Sequence, residues 1–168
     1  MQTHMGRATF ETPLGRCGIS WRDPDDALTS FDLPEATPRS DDCPWPPPSI
    51  RDIIARVQQH LAGHFQDFSD LPFAWETLAS FNAAVLRATL AVKPGETRSY
   101  GEIAKAIQQP AAASRAVGAA LGANRWPLLI PCHRIVAANG KMTGFSGPGG
   151  IKTKLRLLAL EGAQFFAE

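Results

Sequence analysis

Apolar and polar residues alternate in three short stretches near the start of the chain. They are Thr9-Phe10-Glu11-Thr12, Cys17-Gly18-Ile19-Ser20-Trp21 and Leu28-Thr29-Ser30-Phe31-Asp32-Leu33. A period of two marks a half-buried strand, and Pro13-Leu14-Gly15 supplies a turn between the first two. Residues 34–48 are polar and rich in proline and are expected to hold no regular element. Ser49 reads as the N-cap of a helix over residues 50–64, in which Ile50, Ile53, Ile54, Val57 and Leu61 recur on one face. Residues 65–79 read as a crossing segment.

From Ser80 the period becomes helical. Phe81, Val85, Leu86 and Leu90 define a helix that stops by Lys93-Pro94-Gly95. Ser99-Tyr100-Gly101-Glu102 fits a capping box opening a helix to about Gln108, and an alanine-rich helix follows over residues 111–123. The two form a helix-turn-helix candidate, although helical hairpins are common in any α-rich domain. Gly118, Ala119, Ala120 and Gly122 keep the second helix slim, and Arg115 projects from it. The last helix, over residues 151–161, is expected to turn Ile151, Leu155 and Leu158 inward and Lys152, Lys154 and Arg156 outward. Glu161 falls in its last turn, where negative charge opposes the helix dipole unless it has a partner.

Charge divides the chain. Residues 1–84 hold six Lys and Arg against twelve Asp and Glu, and residues 85–168 hold eleven against four. A basic half suits a polyanionic partner, and a solvated basic face is the plainer alternative. The composition, 44% hydrophobic and 20% charged, is that of a globular protein, with no apolar run long enough to span a membrane. Cys17, Cys43 and Cys132 are odd in number and scattered, so no disulfide framework is expected. A reducing, cytoplasmic location suits them.

Candidate chemistry concentrates in Ile130-Pro131-Cys132-His133-Arg134-Ile135-Val136. Branched apolar flanks would fix the thiol at the edge of a core, on extended chain that points Cys132 and His133 to opposite faces. Cys132 is then either a nucleophile activated by a nearby base or a small buried hydrophobe. Five glycines between residues 140 and 150 suggest a phosphate loop, but no Gly-Lys-Ser/Thr follows and that reading is rejected.

Six segments coincide in order and spacing. They are residues 95–104 (Gly-Glu-Thr-Arg-Ser-Tyr-Gly-Glu-Ile-Ala), Ser114-Arg115-Ala116-Val117-Gly118-Ala119-Ala120, Asn124, Ile130-Pro131-Cys132-His133-Arg134, Gly144-Phe145-Ser146-Gly147, and residues 154–162 (Lys-Leu-Arg-Leu-Leu-Ala-Leu-Glu-Gly). Together they closely resemble the O6-alkylguanine-DNA alkyltransferases over residues 81–162. The resemblance implies an α+β fold. A small sheet-plus-helix scaffold at residues 1–78 would precede a mainly helical, winged-helix-like DNA-binding domain with a helix-turn-helix at residues 79–168.

The resemblance also implies roles. Cys132 would accept an alkyl group from O6 of guanine, once per molecule. His133 would draw off the thiol proton through a water, and Glu161 would orient and charge-balance that histidine. Tyr100 would donate to N3 of the base, and Asn124 would tie the recognition helix to the active-site segment. Tyr100, Ile135, Phe145 and Ser146 would line the base pocket, with the Ser146 amide at O6 and the Cys132 and Ile135 carbonyls at the exocyclic amine. Arg115 would fill the gap left by the rotated nucleotide, while Ser114, Ala116, Gly118 and Ala119 lie with it along the minor groove. Two positions depart from the family's habit: Arg125 follows Asn124 where proline is common, and Phe145 stands in place of tyrosine.

The partner expected on this reading is double-stranded DNA containing O6-alkylguanine, bound by a monomer away from any membrane. Displacement at an alkyl carbon requires no metal or redox cofactor, so none is expected. His60 and His64 stand four apart and, with Cys17 and Cys43, number a zinc set, but such pairs mostly face solvent. The alternative functions are a non-catalytic alkylguanine-DNA binding protein, a cysteine hydrolase and a plain helix-turn-helix regulator.

Overall fold

The computed structural model describes residues 5–137 and 151–162, and the chain forms two compact units, Met1–Ala74 and Trp75–Glu168. In the first, β1 (Met5–Thr12), β2 (Gly15–Arg22) and β3 (Ala27–Asp32) form an antiparallel meander in the order β1-β2-β3. Phe10 faces Cys17 across β1 and β2, and Ile19 faces Phe31 across β2 and β3. Ala8, Phe10, Cys17, Ile19, Trp21, Leu28 and Phe31 are buried, so the alternation in the sequence correctly marks the core face.

Helix α1 (Pro48–Leu61) buries Ile50, Ile53, Val57 and Leu61. Its start differs from expectation. Pro47 is the N-cap and Pro48, with its fixed φ, begins the helix. Ser49 lies inside the first turn and donates to Asp26 Oδ2 at 2.6 Å. The helix also ends three residues early, at Leu61, with Gly63 in the left-handed region at φ 102°. His64 is therefore not on the helical face with His60. His60 is buried, accepts from the Gln66 amide at 3.0 Å through Nδ1, and packs between Phe65 and Phe68.

Residues 34–47 of the proline-rich segment hold no strand or helix, but they are not a loose linker. The Arg7 guanidinium donates to Asp42 Oδ1 at 2.7 Å and to the Thr37 carbonyl at 3.0 Å, and backbone bonds Ala36 N to Arg16 O and Cys43 N to Arg7 O tie it to the sheet. Among the described residues no group of three His, Cys, Asp or Glu is placed to hold a metal, and no helix is long and apolar enough to cross a membrane.

The second unit opens with a 3₁₀ turn at Trp75–Thr77, followed by α2 (Ser80–Leu90), β4 (Arg98–Ser99) and α3 (Tyr100–Ala106). The capping box forms as read. Ser99 Oγ accepts from the Glu102 amide at 3.1 Å, and Glu102 Oε1 accepts from the Ser99 amide at 3.0 Å. The alanine-rich stretch divides into a 3₁₀ turn, Ala111–Ala113, and α4 (Ser114–Gly122). A third 3₁₀ turn, Cys132–Arg134, leads into β5 (Ile135–Val136), which pairs in parallel with β4. The last helix is α5 (Ile151–Leu160). Val85, Leu86, Ile103, Val117, Leu121, Ile130, Ile135, Leu157 and Leu158 are buried in this unit.

Candidate active site

Cys132 does not lie on a strand. Pro131 (φ −80°, ψ 63°) turns the chain so that Cys132, His133 and Arg134 form a single 3₁₀ turn, with the Arg134 amide bonded to the Pro131 carbonyl at 2.9 Å. The expectation of opposite faces on extended chain therefore fails, because turn geometry and not strand alternation sets these directions. All three residues are buried, Cys132 retaining 7% exposure and His133 none.

Glu161 follows directly on α5 and its carboxylate is sealed from solvent. Three donors converge on it. His133 Nε2 lies 2.9 Å from Oε1, Arg134 Nε donates to Oε1 at 2.9 Å, and an Arg134 terminal nitrogen donates to Oε2 at 2.6 Å. The remaining arm of Arg134 donates to the Val92 carbonyl at 2.6 Å. A two-pronged guanidinium–carboxylate pair is the geometry that offsets burial of both charges. It also explains why a carboxylate is tolerated past the C-terminal end of a helix. Gly95 (φ 87°) makes the close approach possible, since a Cβ there would stand 3.2 Å from the Glu161 carbonyl.

Lys154 reverses its expectation. It is 1% exposed and donates from Nζ to the Ile135 carbonyl at 2.7 Å. Leu157 is buried with Leu158, while Leu155 is only half-buried. The inner face of α5 is thus Lys154, Leu157 and Leu158 and it continues to Glu161, a spacing of i, i+3, i+4, i+7. That signal was present in the sequence, but it was masked because two of its four members are charged.

Asn124 closes the chain between α4 and the cysteine. Its Oδ1 accepts from the Trp126 amide at 2.9 Å and its Nδ2 donates to the Ile130 carbonyl at 3.0 Å. Burial pushes the Cys132 thiol up. A side-chain hydrogen bond from Asn124, the charge of Lys154 and the amides of Cys132 and His133 oppose the rise without cancelling it. Burial in turn pushes the Lys154 ammonium down, and the Cys132 sulfur partly restores it.

Tyr100 begins α3, half-exposed, and its ring lies against α4, 3.9 Å from the position a Cβ on Gly118 would take. On α4 itself, Val117, Ala120 and Leu121 are buried, whereas Arg115, Ala116, Ala119 and Gly122 are exposed. The outer face is a slim strip bearing one guanidinium. Ser114 is half-buried and donates to the Ala111 carbonyl at 2.7 Å. Ile135 is buried beside the cysteine turn. Phe145 and Ser146 lie outside the described residues. The structure thus brings Cys132, His133, Asn124, Ile135 and Glu161 together and adds Arg134 and Lys154, to which sequence reasoning had assigned no role.

Comparison with known proteins agrees with the family resemblance seen in the sequence. Residues 80–163 match the model for the 6-O-methylguanine DNA methyltransferase DNA-binding domain. The chain is 37% identical over 155 residues to the methylated-DNA–protein-cysteine methyltransferase of Mycolicibacterium paratuberculosis, covering 91% of this chain and 90% of that protein. It is similar to the crystal structure of Mycobacterium tuberculosis O6-methylguanine methyltransferase, with a TM-score of 0.76 and 33% identity over 95% of this chain and 93% of the other. It is also similar to Mycobacterium tuberculosis OGT in complex with DNA, with a TM-score of 0.75 and 35% identity over 94% and 92% of the two chains.

Proposed function

The chain belongs to the methylated-DNA–protein-cysteine methyltransferase family, and from that premise we propose that Cys132 is its methyl acceptor, served by His133, Glu161, Tyr100 and Asn124. The protein is a DNA-repair enzyme that moves a methyl group from O6 of guanine in DNA to its own cysteine, and the thioether formed ends its activity after one turnover. Cys17 and Cys43 are the rival acceptors among its free thiols. Cys17 lies on β2 in the other unit, fully closed to solvent, with Thr12 Oγ1 at 3.9 Å from its sulfur.

One observation carries the assignment. The residue after Cys132 is a histidine whose Nε2 is committed to a buried carboxylate that Arg134 already neutralises. Against a carboxylate Nε2 is the donating nitrogen, which makes Nδ1 the proton acceptor of the neutral ring. Burial keeps the Cys132 sulfur protonated at rest, so the attack requires that proton to be handed over. His133 receives it, relayed by a water, and the resulting imidazolium is stabilised by Glu161.

The sulfur then displaces guanine at the methyl carbon. The S–C bond forms as the C–O6 bond breaks, and the electron pair goes to the base. A hydrogen bond donated by Tyr100 to N3 keeps that charge from localising on guanine, which takes up one proton as it leaves, matching the one lost by the thiol. Asn124 and Lys154 stabilise the thiolate while it exists. Ile135 lies at the wall of the base pocket, and the Cys132 and Ile135 carbonyls receive the exocyclic amine.

The exposed strip of α4 enters the minor groove. Ser114, Ala116, Gly118 and Ala119 allow the backbone close to the DNA, and Arg115 occupies the space left by the rotated nucleotide. One thiol and one alkyl group complete the reaction, so a monomer suffices, and three free cysteines suit a reducing cytoplasm.

Incubation with duplex DNA containing O6-methylguanine, followed by intact-mass measurement and peptide mapping, tests the assignment. The expected product is one methyl group per chain, located on Cys132, with the DNA restored to guanine. Multiple turnover, label on Cys17 or Cys43, or tight lesion binding without any transfer would overturn it.

A further inference from the structure

The segment joining α4 to the cysteine turn is a closed ring. Asn124 bonds across it to Trp126 and Ile130, the Ile130 amide donates to the Trp126 carbonyl at 2.9 Å, and the Cys132 amide donates to the Ile130 carbonyl at 2.7 Å. At its apex Leu128 is held at φ 77°, a left-handed conformation that a leucine rarely adopts, and its side chain is buried. A loop in that conformation keeps its shape only if its surroundings impose it.

The 3₁₀ turn Trp75–Thr77 supplies that constraint. Trp126 is fully buried, and its ring meets Trp75 at a centroid distance of 6.0 Å and a tilt of 56°, the range of edge-to-face packing. The Arg87 guanidinium of α2 sits 4.7 Å from the centre of the Trp75 ring. The neighbouring loop residue, Arg125, donates to Thr77 Oγ1 at 2.8 Å. Two successive residues of the loop are therefore gripped by one turn, next to the asparagine whose amide joins the ends of the ring.

We propose that Trp75 and Arg125 are positioning residues for methyl transfer: through Trp126 and Thr77 they hold the Asn124–Ile130 ring, and with it the orientation of Cys132. Neither touches the reacting atoms. They act through the Asn124 side chain, whose bonds to Trp126 and Ile130 set the path of the loop and so the place of Cys132, whose thiol Asn124 helps to lower. The inference rests on Cys132 being the acceptor.

The test compares full-length wild type with Trp75→Ala, Trp75→Phe, Arg125→Ala and Asn124→Ala. Three quantities are measured below the melting transition. They are single-turnover methyl transfer from O6-methylguanine duplex, the pH dependence of Cys132 alkylation by iodoacetamide followed by peptide mapping, and duplex affinity. Loss of one well-made hydrogen bond corresponds to about fivefold in rate, and that slowing is expected for Trp75→Ala and Arg125→Ala. The alkylation midpoint of Cys132 should rise by about half a pH unit as the Asn124 bond loosens. Duplex affinity should stay within about twofold for Trp75→Ala, which removes no charge. Trp75→Phe should recover most of the rate, and Trp75→Ala should add nothing in the Asn124→Ala background.

Unchanged rate and midpoint in both alanine variants overturn the proposal. So does a slower rate with an unshifted midpoint and a lowered melting temperature, which would mark the cluster as packing alone. Methyl label away from Cys132 in the wild type would instead overturn the acceptor assignment itself, so the two failures are distinguishable.

Discussion

Glu161 accepts from His133 at 2.9 Å across twenty-eight residues of sequence, at a helix end where the backbone dipole disfavours its charge. Arg134, next to that histidine, supplies the compensating charge by two bonds to the same carboxylate. One acid thereby holds both His133 and the turn that carries Cys132. On the proposed mechanism, catalytic orientation and local stability are coupled at this position.

Glu161→Gln should expose that coupling. It leaves the Arg134 guanidinium buried without its counter-charge, a loss of about 3–5 kcal/mol by comparison with broken buried pairs. Denaturant unfolding should register the loss, and methyl transfer should slow in protein that remains folded. A stability change below about 1 kcal/mol would mean the pair behaves as a solvated one.

Lys154→Met keeps the length of the side chain and removes the cation next to Cys132. The thiol, already pushed up by burial, loses an opposing charge and should rise further. Transfer near neutral pH should fall by about tenfold for each unit gained, and the pH–rate profile should move to higher pH. An unshifted profile would confine Lys154 to its bond with the Ile135 carbonyl.

Tyr100→Phe deletes the phenolic donor and keeps the ring against α4. Transfer should slow by about tenfold to a hundredfold, with lesion-duplex affinity nearly unchanged, because the proton matters only as guanine departs. Equal losses in binding and rate would assign the hydroxyl to ground-state recognition.

Cys17 makes a prediction about alkaline stability. Its thiol is pushed up to about 12 by burial in the sheet unit, whereas an unfolded chain ionises near the ordinary thiol value. A raised value in the folded state gives stability that is complete below the unfolded value and is lost as pH rises toward the folded one. Between about pH 9 and pH 12 the loss should approach about 1.4 kcal/mol per pH unit. Cys17→Ala should remove that slope while costing some packing at neutral pH. Parallel stability curves for the two proteins would contradict it.

The same residues show what could be read from the chain alone. Period-two alternation located the three-stranded sheet, and the capping box located α3, because both are local rules with few competitors. The segment Pro131-Cys132-His133-Arg134 alone left Cys132 as either a nucleophile or a buried hydrophobe, and its chemistry emerged from the order and spacing of six segments together. Ser49 was misread because two prolines ahead of it start the helix without any side-chain cap. His64 was misplaced because α1 ends at Leu61, a boundary set by Gly63 and its left-handed φ.

The sequence determined by itself the strands of the first sheet, the main helices, a candidate acceptor cysteine and the family, since these depend on local periodicity and on motifs in order. Tertiary structure decided the rest. Lys154 looked solvent-facing, yet Ile135 and Cys132 give its ammonium partners inside the core. Arg134 gained a purpose only when the chain brought Glu161 and Val92 to it. Trp75 became a brace only when Trp126 closed against it. A buried charge or a stacked ring is favourable only in company, and that company comes from residues distant in the chain.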